Sequence, residues 1–124
     1  MTLRRRNDRE TATYDANETL VRGFVKVTST DETKVDQADA AGELVLGAIE
    51  SVAVAGERVR IITRGECYLP AGATIAAGAK VQTDANGKPI TAASGDSVCG
   101  RCLSGGDAGD FVTIDLQPGE ETLA

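Results

Sequence analysis

The chain has 124 residues, a formal charge of −6, 14 glycines, three prolines, three cysteines, and neither histidine nor tryptophan. That length supports one modest core and argues against a large-core enzyme, while the acidic balance argues against nucleic acid as the main partner, because phosphate binding needs clustered Lys and Arg. With two Tyr and two Phe as the whole aromatic supply, Val, Ile, Leu and Ala must fill the core, and abundant glycine with β-branched residues favours short strands joined by tight turns.

The first nineteen residues depart from the acidic average. Arg4, Arg5, Arg6 and Arg9 stand against only Asp8 and Glu10 in the first ten, so a basic arm precedes an acidic body. Its apolar surface is too small to offset about 1–2 kcal/mol of backbone ordering per residue. Residues 1–19 are therefore expected to be an extended arm that becomes ordered only on a partner, through arginine–carboxylate pairs or as a strand added to a sheet edge. Arg4, Arg5, Arg6, Arg9 and Tyr14 are its candidate contact residues. No apolar run follows the arginines and none in the chain approaches about 18 residues, so the sequence predicts no signal peptide, no membrane partner, and synthesis in a reducing cytoplasm.

From Leu20 onward the pattern is that of a β protein. A strand is expected around Phe24–Thr28, followed by a polar turn. "DQADAAGELV" comes nearest to a helical stripe, and Gly42 interrupts it. Ala55-Gly56-Glu57 then introduces a strand alternating with period two, Val59 and Ile61 inward and Arg58 and Arg60 outward. A further strand is expected over Ala79–Thr83, and Asn86-Gly87 in "DANGKP" suits the positive φ angles of a tight hairpin. Ala108-Gly109-Asp110 repeats the earlier introduction, with Val112, Ile114 and Leu116 inward and Thr113 and Asp115 outward.

The two introductions belong to a longer repeat. Gly42–Ile61 aligns without a gap on Gly95–Ile114, pairing Gly47 with Gly100, Val59 with Val112 and Ile61 with Ile114, and keeping an acid at Glu43/Asp96 and Glu57/Asp110. Upstream, the segments from Gly23 and Gly78 correspond with a shift of one or two residues. The sequence thus reads as two copies of one β unit, roughly 20–63 and 75–116, followed by a polar tail, 117–124. Alone, each copy leaves a bare edge and an uncovered face, so an all-β, small compact barrel or sandwich of two similar units is expected.

Groups that carry chemistry are scarce. Without histidine there is no Ser-His-Asp or Cys-His pair and no histidine metal site. The carboxylates Asp31, Glu32, Asp84, Asp96, Asp107 and Asp110 lie beside turn residues, and "GGDAG" at Gly105–Gly109 lacks the following helix that a phosphate loop needs. Cys99-Gly100-Arg101-Cys102 resembles a redox dithiol, but Cys99 aligns with Leu46 and Cys102 with Ile49, so the repeat assigns them as apolar filler. With Cys67 the chain has three thiols, one short of a tetrahedral zinc set. No cofactor, no metal and no enzymatic activity are expected.

The stretch "AAGAKVQTDANGKPITAASGDSVCGRCLSGGDAGDFVTIDL" resembles the C-terminal half of small tailed-phage head decoration, or capsid cement, proteins. The likeness rests on a Gly78-Ala79-x-Val81 strand, the Thr83-x-Ala85-x-Gly87-Lys88 turn, Val98-x-Gly100, and Ala108-Gly109-Asp110-x-Val112-x-Ile114-x-Leu116. It spans about Leu20 to Leu116, and the arginine-rich start is longer than such proteins usually have. The resemblance implies a structural virion protein made in the host cytoplasm, seated on the outer face of an HK97-fold shell. It would clamp capsomers as a homotrimer, with the major capsid protein and neighbouring decoration subunits as partners. The alternative from the residues alone is a generic β-barrel binding module for protein or carbohydrate, though the latter normally needs aromatic platforms.

Overall fold

The computed structural model describes residues 9–123, as nine β-strands with no helix among them. These are β1 (Glu10–Ala16), β2 (Gly23–Thr28), β3 (Asp31–Gln37), β4 (Gly47–Ile49), β5 (Arg58–Pro70), β6 (Lys80–Thr83), β7 (Pro89–Thr91), β8 (Ser97–Cys102) and β9 (Phe111–Thr122). β1 pairs in antiparallel fashion with β5 and in parallel with β3, so β1-β3-β2-β4-β5 closes into a ring. The sheet continues from β5 through β9, β8, β6 and β7. The Gly72 amide donates to the Pro89 carbonyl at 2.8 Å and draws the end of β5 toward β7. The expected all-β, compact architecture is present.

The sequence repeat is also a repeat of hydrogen bonds. β1 meets the first half of β5 at Thr11–Ile62, Thr13–Arg60 and Asp15–Arg58; the second half of β5 meets β9 at Glu66–Asp115, Tyr68–Thr113 and Pro70–Phe111. The registers coincide when one strand is advanced by 55 residues and its partner by 53. The same offsets carry the Leu20–Ala53 bridge onto Ile75–Gly106, and the Ala16 to Glu57 bond onto Ala71 to Asp110, both 2.8 Å. They also explain the repeated acid. Glu57 Oε1 accepts the Val54 amide at 2.7 Å and Asp110 Oδ2 accepts the Asp107 amide at 3.0 Å, so each carboxylate closes the turn that precedes its strand.

The repeated Gly47 and Gly100 answer to close approach. A Cβ on Gly47 would collide with the Ile62 carbonyl oxygen, and one on Gly100 with that of Asp115, again matching positions.

Two apolar clusters fill the molecule, and three strands serve both. Val25, Ile49 and Ile61 lie inside the first ring with Leu20, Val35, Ala53 and Val59. Their neighbours Phe24, Ala48 and Ile62 point the other way into a cluster shared with Leu69, Ile75, Val81, Val112, Ile114 and Leu116 of the second unit. Consecutive residues of a strand face opposite sides, so Phe24-Val25, Ala48-Ile49 and Ile61-Ile62 bury both faces of the sheet there.

Main-chain bonds add to this union. The hairpin at Asn86-Gly87 is present: Asp84 Oδ1 accepts the Asn86 and Lys88 amides, both at 2.8 Å, and Gly87 has φ +82°. The Gly87 carbonyl then accepts the Phe24 amide at 2.6 Å, and the Thr83 carbonyl accepts the Gly42 amide at 3.0 Å.

Two boundaries move. Residues 1–19 were expected to form an arm outside the β body, yet Glu10–Ala16 are a strand of it, because Tyr14 and Ala16 pack on the first cluster and the backbone completes the ring. The first unit accordingly starts near Glu10 rather than at Leu20, and the second at the latter half of β5. The tail expected from residue 117 is strand as far as Thr122, paired with Ser97 and Val98.

A variant beginning at Leu20 is therefore expected to lose cooperative folding, since it strips one whole edge from Arg58–Arg64. A variant beginning at Arg9 should melt within a few degrees of the full chain. Gly47→Ala and Gly100→Ala should each destabilise by about 1–3 kcal/mol through overpacking. Thermal and urea unfolding check all four; a cooperative transition for the Leu20 variant contradicts the closure by β1.

Candidate functional site

Beyond Arg64, β1 no longer accompanies β5, and β9 alone pairs with Gly65–Pro70. One edge of that half-strand has no neighbouring strand among the described residues. Side chains stand in for one. Glu50, the residue after β4, accepts the Tyr68 amide through Oε2 at 2.8 Å, and Arg9 Nη1 reaches the Glu66 carbonyl at 3.5 Å. A charged pair in this place satisfies backbone groups and blocks strand addition by another chain.

The same pair anchors the beginning of the body. Arg9 Nη1 lies 2.8 Å from Glu50 Oε1, with both side chains about a third exposed. Such a pair is worth at most about 1 kcal/mol, so its role is positional. Beside it, Arg22 Nε donates to the Glu50 carbonyl at 2.7 Å, and its guanidinium carbon sits 5.8 Å from the centre of the Phe111 ring, within cation–π range.

Phe111 is 59% exposed and Tyr68 50%. Phe111 lies opposite Pro70 in the β5–β9 ladder, so it and Tyr68 project from the same face. Val21, Val52 and Val54 flank the adjoining Leu20–Ala53 bridge and are also exposed. A second apolar surface, a shallow groove lined by Lys26, Val27, Leu44, Val45, Leu46, Pro118 and Gly119, lies between β2 and the latter half of β9.

Of the residues singled out in the sequence, Arg9 lies in this cluster. Tyr14 is half-buried against the first core, which follows from its inward register on β1. Arg4, Arg5 and Arg6 lie outside the described residues. Sequence reasoning missed Arg22, Glu50, Tyr68 and Phe111. One signal was available for Phe111: the residue before inward Val112 must face outward, and an outward phenyl ring on a polar strand face is conspicuous.

The cysteines have no part in this surface. Cys67, Cys99 and Cys102 are buried free thiols. Burial pushes the Cys99 thiol up to about 12 and raises that of Cys67 as well, so neither supplies a thiolate near neutrality. Among the described residues no three of Asp, Glu and Cys gather as a metal site.

Comparison with known proteins adds two findings. The family profile described as phage cement protein matches residues 11–116. The fold is similar to the crystal structure of the N base of the head fiber protein gp8.5 of bacteriophage phi29, with a TM-score of 0.71 and 15% identity over 87% of this chain and 93% of that one. No curated protein sequence matches the chain.

The buried thiols have a measurable consequence. The neutral forms of Cys67 and Cys99 are favoured in the folded protein, whereas an unfolded cysteine ionises at about pH 8.5. Their contribution to stability is complete below that pH and is lost as pH rises toward about 12. Melting temperature should fall between about pH 8.5 and 11, less steeply in Cys99→Val, and the native protein should resist thiol labelling at pH 8. Rapid labelling of the folded protein contradicts the assignment of these residues as core filler.

Proposed function

The chain belongs to the phage cement protein family, and on that premise we propose that it is a structural, non-enzymatic virion protein. It is made in the host cytoplasm and attaches to the outer face of an expanded HK97-fold shell. There it links neighbouring capsomers as a homotrimer, contacting the major capsid protein and adjacent copies of itself. The observation that carries this reading is the family match, which spans both β units almost entire, together with a body whose three thiols are buried.

Physical features of the chain support it. A clamp works by joining contacts that are each modest, and placing several on one oligomer raises apparent affinity by about 10²–10⁴-fold without new chemistry. That requires a body that transmits load between contacts without shearing. Two β units with a common strand, a common apolar cluster and main-chain bonds between them supply such a body. Arg4, Arg5 and Arg6 then serve as the electrostatic contact, pairing with carboxylates of the shell, while Arg9 stays bound to Glu50.

The full chain, added to expanded heads that lack it, is expected to bind saturably and to raise the temperature at which they release DNA. Replacing Arg4, Arg5 and Arg6 by Ala should weaken binding and reduce its sensitivity to salt, while melting stays unchanged. Absence of binding at concentrations in the micromolar range, or binding with no heat protection, overturns the clamp.

A further inference from the structure

Seven large apolar side chains are exposed among the described residues. Five of them, Val21, Val52, Val54, Tyr68 and Phe111, belong to the loops and strand ends joined by the contacts of Arg22 and Glu50. Exposed apolar side chains set among polar groups mark interaction sites. We infer that this face, centred on Phe111 and Arg22, is the surface by which the chain docks on the shell, and that it receives a carboxylate-bearing, apolar protein surface there. The inference rests on the proposed function and adds to it the docking residues and the chemistry of the partner.

Arg22 decides the charge of the partner. Its Nε donates to the Glu50 carbonyl and its guanidinium carbon lies 5.8 Å from the centre of the Phe111 ring, contacts that hold the guanidinium in place, yet no carboxylate pairs with it among the described residues. The two terminal nitrogens form an oriented fork suited to a carboxylate. Arginine and aromatic side chains together are the residues that most often dominate protein interfaces. Arg9 is pinned to Glu50 in the same cluster.

A second copy of the chain fits the face poorly. A two-fold contact of the face with itself sets Arg22 against Arg22. Three carboxylates of the second unit are engaged within the chain: Asp84 by the Asn86 and Lys88 amides, Asp110 by the Asp107 amide, and Glu121 by Lys80 at 2.5 Å.

Phe111→Ala and Arg22→Glu in the full chain, with Leu44→Ser in the distant groove as control, test this on expanded heads lacking the protein. The two face variants should bind about tenfold or more weakly, and Leu44→Ser as the parent does. Melting, and sedimentation of the free proteins, should be alike in all. Parent-level binding by both face variants overturns the inference while leaving the proposed function intact. A change in self-association with unchanged head binding overturns it too, assigning the face to copy–copy contact. Failure of the parent itself to bind overturns the proposed function and this inference together.

Discussion

The strand β5 is the constraint on which the rest of the structure depends. Over thirteen residues it closes the first unit with its beginning and opens the second with its end. Because β1 and β9 pair with its two halves in equivalent registers, neither unit can slip without displacing the other; a slip of one residue would turn Val59 and Ile61 out of the first core and Ile62 into it. The double burial at Phe24-Val25, Ala48-Ile49 and Ile61-Ile62 follows from the same arrangement. Those strands are interior to the whole although each lies on the wall of its own unit.

The exposed face is a by-product of an imperfect repeat. In the first unit β1 meets both β3 and β5 and closes the ring. In the second, the latter half of β5 reaches β7 through the Gly72–Pro89 bond, and its free edge is met by Glu50 and Arg9. The outward aromatic residues of the β5–β9 ladder, Tyr68 and Phe111, occupy positions equivalent to Thr13 and Arg58 of the first unit, so the two copies have diverged where they face outward. Likeness of the inward positions keeps the fold, and the outward ones are free to carry recognition. A protein whose role is attachment needs no more chemistry than that.

Much of this was legible in the sequence, for reasons particular to certain residues. Val59-x-Ile61 and Val112-x-Ile114-x-Leu116 announced their strands because each has one buried and one polar face. Asn86-Gly87 announced its hairpin through φ. The repeat assigned Cys99 and Cys102 to the core, where both lie. Hidden were the elements whose partners are remote. The segment "ETATYDA" is polar, its inward residues Ala12, Tyr14 and Ala16 are mostly small, and its counterpart "ECYLPA" shares with it little but the final Ala. Only the pairing register reveals the kinship. Glu50 was equally silent, since a carboxylate capping an edge 18 residues away leaves no local pattern. The strand beyond Leu116 leaves no such pattern, because Gln117, Pro118 and Gly119 lack apolar alternation.

Native-state hydrogen exchange tests the central claim, that β1 and the two halves of β5 form one cooperative body. Amides of β1, of β5 and of Phe111–Leu116 that lie in the ladders should open only with global unfolding and share one free energy of exchange. Exchange of the β1 amides through a separate, low-energy opening, with the remainder of the sheet still protected, would show that residues 10–16 are an appendage and contradict the account.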